Sequence, residues 1–546
     1  MRPSRGGAEV HGHVPEGPNN SSEKLMKSFH KAAAVCVVGT AALGTTLAVG
    51  SAATASPSGW EVGAVQSGNP RSGVENNVLA TGLAQTSLAW GSLPLTNPDT
   101  ASGVTHYGYV TSNGGPLTQD PKEAYKTEPD KNVYLTLTNR HFLFQGHEGG
   151  PQGYVTRIDL DARDPAQRVA LLADTDTEGN RLPTFDGITW NPFTKQLLLT
   201  AEAKAPKGGV WALSLDESGN APAGKAQRLP ALGAGGYEGV QTDADGNVWL
   251  VEDIGGPGVA GGKKPNSYVY RFTPVDKTDL TKGGTLQALQ VLRRDGSPMT
   301  ASQLSADPGS KDIAALHTVS RSFATRWVTV HTGTDLFDAT AEAAAADATP
   351  FKRPENGVFR PGTGFGEFYF TETGDTSTTS TLPGAFGGVF RLKQSSPSSP
   401  TGRVNAVVVG DKDHAGLDNI AFATKDQLLV VEDAGDSMHA QRNALDSGFA
   451  VDLRGDDHRG RFMTRWLAEG RDASALYDAT TSPGYNDGDN EITGIHVSDG
   501  DPTVGGLLGA KLPQPFDGRW RVFWTQQHGD TVTWEVTRDN TGGSHS

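Results

Sequence analysis

Five carboxylates hold comparable places in the sequence: Glu148, Glu238, Glu355, Asp418 and Glu491. Glu238, Glu355, Asp418 and Glu491 each stand just ahead of a short apolar run with strand character. Glu148, after His147, holds a similar place before residues 154–159. An acid repeated at one point of a repeating unit converges on a common axis when the units surround that axis. Carboxylates crowded into a low-dielectric funnel repel one another unless cations neutralise them. Hard cations with oxygen ligands, calcium above all, fit that chemistry. Taken singly, any of these acids could equally cap a turn or form a salt bridge between units; the shared position favours metal for the set.

Other motifs are fewer. His147 and His528, the latter in Gln526-Gln527-His528-Gly529-Asp530, lie next to repeat ends. Each is open to two readings, a ligand or phosphate contact, or a buried structural histidine. The turn Asp243-Ala244-Asp245-Gly246 resembles a calcium loop but lacks the later bidentate glutamate, and reads as a hairpin turn. There is no His-Glu-x-x-His, Gly-x-Ser-x-Gly or phosphate-loop motif, so zinc-protease, α/β-hydrolase and P-loop readings have no support.

The elements that must position these residues are strands. Past Ser56, short runs rich in Val, Leu, Phe, Tyr and Trp alternate with Gly, Asp and Asn turns. A degenerate repeat is visible: a Gly or Asn, a short apolar strand, a turn, a second apolar strand, then an acidic residue. One copy runs from Asp186-Gly187-Ile188 through Leu197-Leu198-Leu199 to Glu202. Others open at Glu238, Glu355, Asp418 and Glu491, and a sixth falls within residues 134–161. The pattern predicts an all-β fold, a six-bladed β-propeller with loop and small helical insertions; a pair of β-sandwiches is the rival. Residues 341–348 are the clearest helical insertion. Residues 376–381 and 394–402 read as exposed loops, and 56–75 and 541–546 as frayed ends.

Composition narrows the function. A formal charge of −15 argues against nucleic-acid or anionic-membrane partners, and 36% hydrophobic residues suffice for a packed core. Lys24, Lys27 and Lys31 precede the apolar residues 32–49, and Ala53-Thr54-Ala55 is a small-x-small cleavage site. Residues 1–55 therefore read as an extension and a Sec-type export signal, with Met26 an alternative start and a membrane anchor the rival reading. The only cysteine, Cys36, lies in that segment, so the mature chain has no disulfide and no thiolate ligand. Residues 56–130 are expected to form an N-terminal strand and insert region, and 131–546 the propeller. A secreted monomer without stable membrane insertion is expected.

Several strings then resemble one family, in its order along the chain. Glu491-Ile492-Thr493-Gly494, Ser498-Asp499-Gly500 and Gln527-His528-Gly529 resemble the closing signature of PhoX-type alkaline phosphatases. Gly146-His147-Glu148, residues 184–202, Tyr237-Glu238-Gly239, Glu252-Asp253 with Tyr268-Val269-Tyr270-Arg271-Phe272, Arg353-Pro354-Glu355-Asn356, and Asp418-Asn419-Ile420-Ala421-Phe422 resemble its earlier segments. The resemblance spans about residues 130–535. It implies an exported six-bladed propeller that hydrolyses small phosphomonoesters at a mixed iron–calcium cluster. On that implication Glu202, Glu238, Glu355 and Glu491 are metal ligands, Glu148 is a weaker one, and Arg353 contacts the phosphate. With Asp418 added from the repeat, these acids form the candidate metal set, and Arg353 and His528 the candidate catalytic pair. Departures are specific: no cysteine stands near Phe185 or Asp186, Trp190-Asn191-Pro192 replaces a Pro-Trp-Gly run, and Tyr237 replaces a histidine. They favour calcium over iron. A non-catalytic calcium-binding propeller and a lactonase- or phytase-like propeller hydrolase are the alternatives.

Overall fold

In the computed structural model, residues 63–111, 124–454, 463–472 and 489–539 are described. The expected export signal with Cys36, the expected mature start at Ser56 and residues 541–546 lie outside them.

Six antiparallel meanders follow one another. The first comprises Glu128–Leu137, Arg140–Glu148, Val155–Asp159 and Val169–Ala173. The second comprises Ile188–Asn191, Gln196–Ala201, Gly209–Ser214 and Lys225–Arg228, and the third Tyr237–Thr242, Val248–Glu252, Val269–Pro274 and Gly284–Leu292. The fourth is Pro354–Phe359, Glu367–Glu372, Gly388–Gln394 and Thr401–Val409, and the fifth Leu417–Thr424, Gln427–Glu432, Ser447–Asp452 and Met463–Ala468. The sixth, Glu491–Ser498, Arg521–Gln527 and Val532–Arg538, takes its outer strand, Leu83–Trp90, from the other end of the chain. A long strand, Phe323–Gly333, pairs with the outer strands of the third and fourth sheets and joins them. The opening strand of each sheet lies against that of the next, and the sixth lies against the first, so the six close a ring.

The core explains why the strands read as unbroken apolar runs. Leu197 and Leu199 pack between the first and second sheets, while Leu198 packs between the second and third. Leu428 and Leu429 divide in the same way between the fourth–fifth and fifth–sixth interfaces. Trp249 faces the fourth sheet, and its neighbour Leu250 faces the second. Each central strand is buried on both faces, so the hydrophobic–polar alternation of a half-exposed strand is lost.

The segment ahead of the first meander supplies that closing strand and a separate four-stranded sheet (Pro94–Asp99, Val104–His106, Tyr109–Thr111, Ala124–Lys126). The expected helix falls at Ala339–Ala345 with Asp338 as its N-cap. Three further short helices, Ala301–Ala306, Lys311–Leu316 and Gly435–Arg442, have too few residues for a periodic signal. Among the described residues no helix is long and apolar enough to cross a membrane.

Candidate metal and phosphate site

One backbone irregularity recurs on five of the six opening strands. The pairing register slips between Pro129 and Asn132, Tyr237 and Val240, Pro354 and Gly357, Leu417 and Ile420, and Thr493 and His496. A bulge re-aims the side chain at the slip. The first residue inside each slip is Asp130, Glu238, Glu355 and Asp418 in four sheets, and Gly494 in the sixth. In the second sheet Asp186 stands just ahead of Ile188–Asn191, with its N–H donating to the Thr200 carbonyl. The residue after the acid is constrained by the next strand. A Cβ on Gly187 would lie 1.8 Å from the Glu238 carbonyl oxygen, and one on Gly239 would lie 2.8 Å from that of Glu355. Glycine at these two positions lets consecutive opening strands meet at the hub.

The acids converge. Asp130, Glu148 and Asp186 form one group, Asp186, Glu202 and Glu238 a second, and Glu238, Glu355 and Asp418 a third. Within each group the oxygens lie within 4.8 Å of one another, and Asp186 and Glu238 each serve two groups. Seven carboxylates thus form one continuous row. Burial first, and then mutual repulsion, raises their proton affinity. Glu148 and Glu355 are pushed up to about 8, and Asp130 to about 7. Asp186, Glu202 and Glu238 lie well above the usual carboxylate range for the same reasons. Asp418 rises to about 6 through burial, although Asn419 and Asn356 each donate to it at 3.0 Å.

Positive charge is scarce in the row, and hydrogen-bond donors reach only some of its oxygens, among them those of Asn356 and Asn419 on Asp418 and of Thr373 on Glu355 Oε1. Its buried cation is Lys131, 2% exposed, whose Nζ donates to Asn419 Oδ1 at 3.1 Å. Asp186 Oδ1 and Glu355 Oε2 are buried and accept no hydrogen bond. Orphaned carboxylate oxygens aimed into a cluster of other carboxylates suit a hard cation. The chain's one cysteine is Cys36, far from this position in sequence and outside the described residues, so the row itself offers oxygen and no thiolate.

Glu202 also lines an open cleft of about 500 Å³, together with Asp253, Lys263, Arg353 and Asp433. Arg353 has a left-handed backbone, φ 54°, unusual for a residue with a side chain. Its Nε and one NH2 bond Asp253 Oδ2 at 2.8 and 2.7 Å, and that NH2 lies 3.6 Å from Glu355 Oε1. The guanidinium is thereby fixed between the row and the cleft.

The remaining sequence candidates divide. His528 is also left-handed, φ 63°, and lies between two carboxylates: Nε2 meets Glu491 Oε2 at 3.0 Å, and Nδ1 meets Glu128 Oε1 at 3.1 Å. Burial would lower its proton affinity, but Glu128 and then Glu491 outweigh burial and push it up to about 9. Each of its nitrogens faces a carboxylate, which favours the imidazolium. Glu491 stands three residues before Gly494, the slip residue of its strand, and belongs to none of the three carboxylate groups. His147 is fully buried, stacked on Tyr154 at 4.0 Å and bonded to Thr156 Oγ1 at 2.8 Å. Burial depresses it to about 3, so it is a neutral packing residue. Asp243 caps its own hairpin turn, accepting from the N–H groups of Asp245 and Asn247 and from Trp249 Nε1. Asp130, Asp186, Lys131 and Asp253 were not among the sequence candidates. The available signal was an acid followed by Gly or Asn at the start of a strand: Asp186-Gly187, Glu238-Gly239, Glu355-Asn356, Asp418-Asn419.

A closed ring of antiparallel sheets, a hub of carboxylates and an arginine at its mouth define an all-β chain equipped to handle anions beside cations. The sequence model of the family described as alkaline phosphatase PhoX matches residues 220–504, just over half of the chain. The chain belongs to that family and is a phosphoric monoester hydrolase. Among solved structures it is similar to Pseudomonas fluorescens PhoX in complex with vanadate, a transition state analogue. Identity is 13%, the TM-score is 0.53, and the match covers 89% of this chain and 100% of that one. At that identity the likeness concerns the fold. The α-L-arabinofuranosidase PaAbf62A of Podospora anserina in complex with cellotriose is more distant, with a TM-score of 0.32 and 11% identity over 83% of this chain and 98% of that one. No curated protein sequence matches significantly.

Proposed function

We propose that the chain is a secreted phosphomonoesterase that works with divalent cations, calcium above all, held at the hub of a six-bladed β-propeller. Its ligands are Glu148, Glu202, Glu238, Glu355 and Asp418, joined by Asp130 and Asp186. The observation that carries this reading is the continuous row of buried carboxylates with orphaned oxygens on Asp186 and Glu355. When bound, such cations neutralise the phosphate and stabilise the developing charge on attacking and leaving oxygens.

The chain's own residues bind and orient. Arg353, already bridged to Asp253, turns its remaining N–H groups toward the cleft and grips the phosphoryl oxygens. The Asp253 pairing leaves the guanidinium little rotational freedom to lose on binding. Lys131 offsets part of the charge of Asp130, Asp186, Glu238 and Asp418 from within. His528 locks Glu128 to Glu491, which ties the sixth opening strand to the first and keeps the ring closed beside the row. Glu491 acts through that lock. Iron held by thiolate has no ligand here, which supports an oxygen-only cation set.

The test is turnover of p-nitrophenyl phosphate by the purified mature chain, with chelator and after resupply of calcium or iron. Activity that disappears with chelator and returns with calcium is expected. Activity indifferent to chelator would overturn the metal role, and none under any condition would overturn the phosphatase reading.

A further inference from the structure

The mouth of the cleft holds a second cation that the account above leaves unused. Lys263 lines the same cleft as Arg353 and Glu202. It is half-buried and sits on a glycine-rich hairpin, Gly258–Val259 paired with Gly262–Lys263, inserted between the second and third strands of the third sheet. Deeply buried lysines elsewhere in the fold are partnered: Lys352 Nζ contacts both oxygens of Asp375 at 3.1 Å, and Lys126 lies 3.2 Å from Glu128. Among the described residues the Nζ of Lys263 makes neither an ion pair nor a hydrogen bond, although acidic side chains border the cleft.

Its backbone is nevertheless fixed. The Lys263 N–H donates to Asp375 Oδ1 at 3.2 Å, and Asp375 is locked by Lys352 with both side chains 1% exposed. Gly262 has φ 153°, and a Cβ there would lie 2.2 Å from Asp375 Oδ2. The N–H of Thr381 holds the Gly261 carbonyl at 2.8 Å. A buried ion pair therefore anchors the hairpin that carries an uncommitted ammonium to the cleft. Folding gains nothing evident from that ammonium, whereas a dianion bound beside Arg353 would meet two positive groups. Arginine supplies a planar fork and lysine a compact point charge, and the two are complementary on a tetrahedral phosphate.

We propose that Lys263 is a second phosphate-binding residue and forms with Arg353 a two-cation clamp on the phosphoryl group. The inference rests on the phosphatase reading of the cleft. The test compares wild type with Lys263→Met and Lys263→Arg, each loaded with calcium. Calorimetry measures inorganic phosphate binding, steady-state kinetics measures KM and kcat on p-nitrophenyl phosphate, and thermal unfolding reports the fold. Lys263→Met should weaken phosphate binding and raise KM by about tenfold, the loss expected for one partly exposed charged hydrogen bond. Lys263→Arg should stay within about threefold of wild type, and both melting temperatures should match it. Wild-type phosphate affinity and KM in Lys263→Met would overturn the clamp, as would a parallel fall in melting temperature that Lys263→Arg fails to rescue. Phosphate binding that depends on Lys263 without any turnover by wild type would leave the clamp standing and sink the phosphatase reading instead.

Discussion

Glu238 is shared by two of the three carboxylate groups, and replacing it with glutamine should move stability and metal affinity in opposite directions. Its oxygens approach those of Asp186, Glu202, Glu355 and Asp418 within 4.8 Å. Two full charges at that separation repel by roughly 3 kcal/mol at an effective dielectric near 20. Four such repulsions would rival the whole stability of an ordinary fold, about 5–15 kcal/mol, so the metal-free row takes up protons rather than ionise fully. Glutamine removes one ionisable group, so no proton need be taken up there, and supplies an amide that donates at any pH. In chelator at mildly alkaline pH, Glu238→Gln should therefore raise the melting temperature by a few degrees, as a gain of about 2 kcal/mol would. With calcium added, the upward shift seen in wild type should shrink, and calcium should bind at least tenfold more weakly. Glu491→Gln serves as the contrast: it lies outside the row and should leave the calcium-induced shift close to wild type. Differential scanning calorimetry with and without chelator reads both effects. A lower melting temperature for metal-free Glu238→Gln, or an undiminished calcium response, would refute the reasoning.

Three further outcomes follow from the same geometry. Glu355 titrates near 8, well above an unfolded glutamate, so between about pH 5 and pH 8 the folded metal-free chain holds a proton that the unfolded chain has released. Metal-free stability should fall as pH rises through that window, by on the order of a few kcal/mol from Glu355 alone, and calcium should flatten the profile; a rising metal-free profile would contradict this. His528, raised to about 9, has the same sign, with its contribution intact below pH 6.5 and lost as pH passes 9. His528→Leu should leave Glu491 uncompensated and Glu128 with Lys126 as its cation, and lower stability by about 3 kcal/mol at pH 7, with the deficit narrowing above pH 9 in thermal unfolding. Leu428→Ala opens a cavity between the fourth and fifth sheets and should cost roughly 2–5 kcal/mol in denaturant titration while leaving calcium affinity per folded molecule unchanged.

Much of the site was legible because the repeat carries it. Acid, small residue and apolar strand recur, and the residues so marked, Glu238, Glu355 and Asp418, meet at the hub. Glu148 and Glu202 meet them from the far ends of second strands. What stayed hidden depends on register. In sequence Glu491 stands ahead of an apolar run as Glu238 does, yet it opens the strand Glu491–Ser498 while the slip falls at Gly494, and three residues of offset remove the acid from the row. Asp130 is followed by Lys131 instead of a small residue, so it lacks the mark that the other opening acids carry. Asp186 lies where the family resemblance called for cysteine. The partnership of Arg353 with Asp253 spans a hundred residues and has no local trace. The apolar runs announced strands but not their double burial, which only the neighbouring sheets reveal.

The claim on which the rest depends is that the carboxylate row holds divalent cations. Metal analysis of the purified mature chain, joined to anomalous scattering from its crystals, tests it directly. The account requires calcium or a comparable oxygen-loving dication in stoichiometric amount, with density among Asp186, Glu202, Glu238 and Glu355. A chain that carries no metal after supply with calcium, and melts at the same temperature with and without chelator, would contradict it.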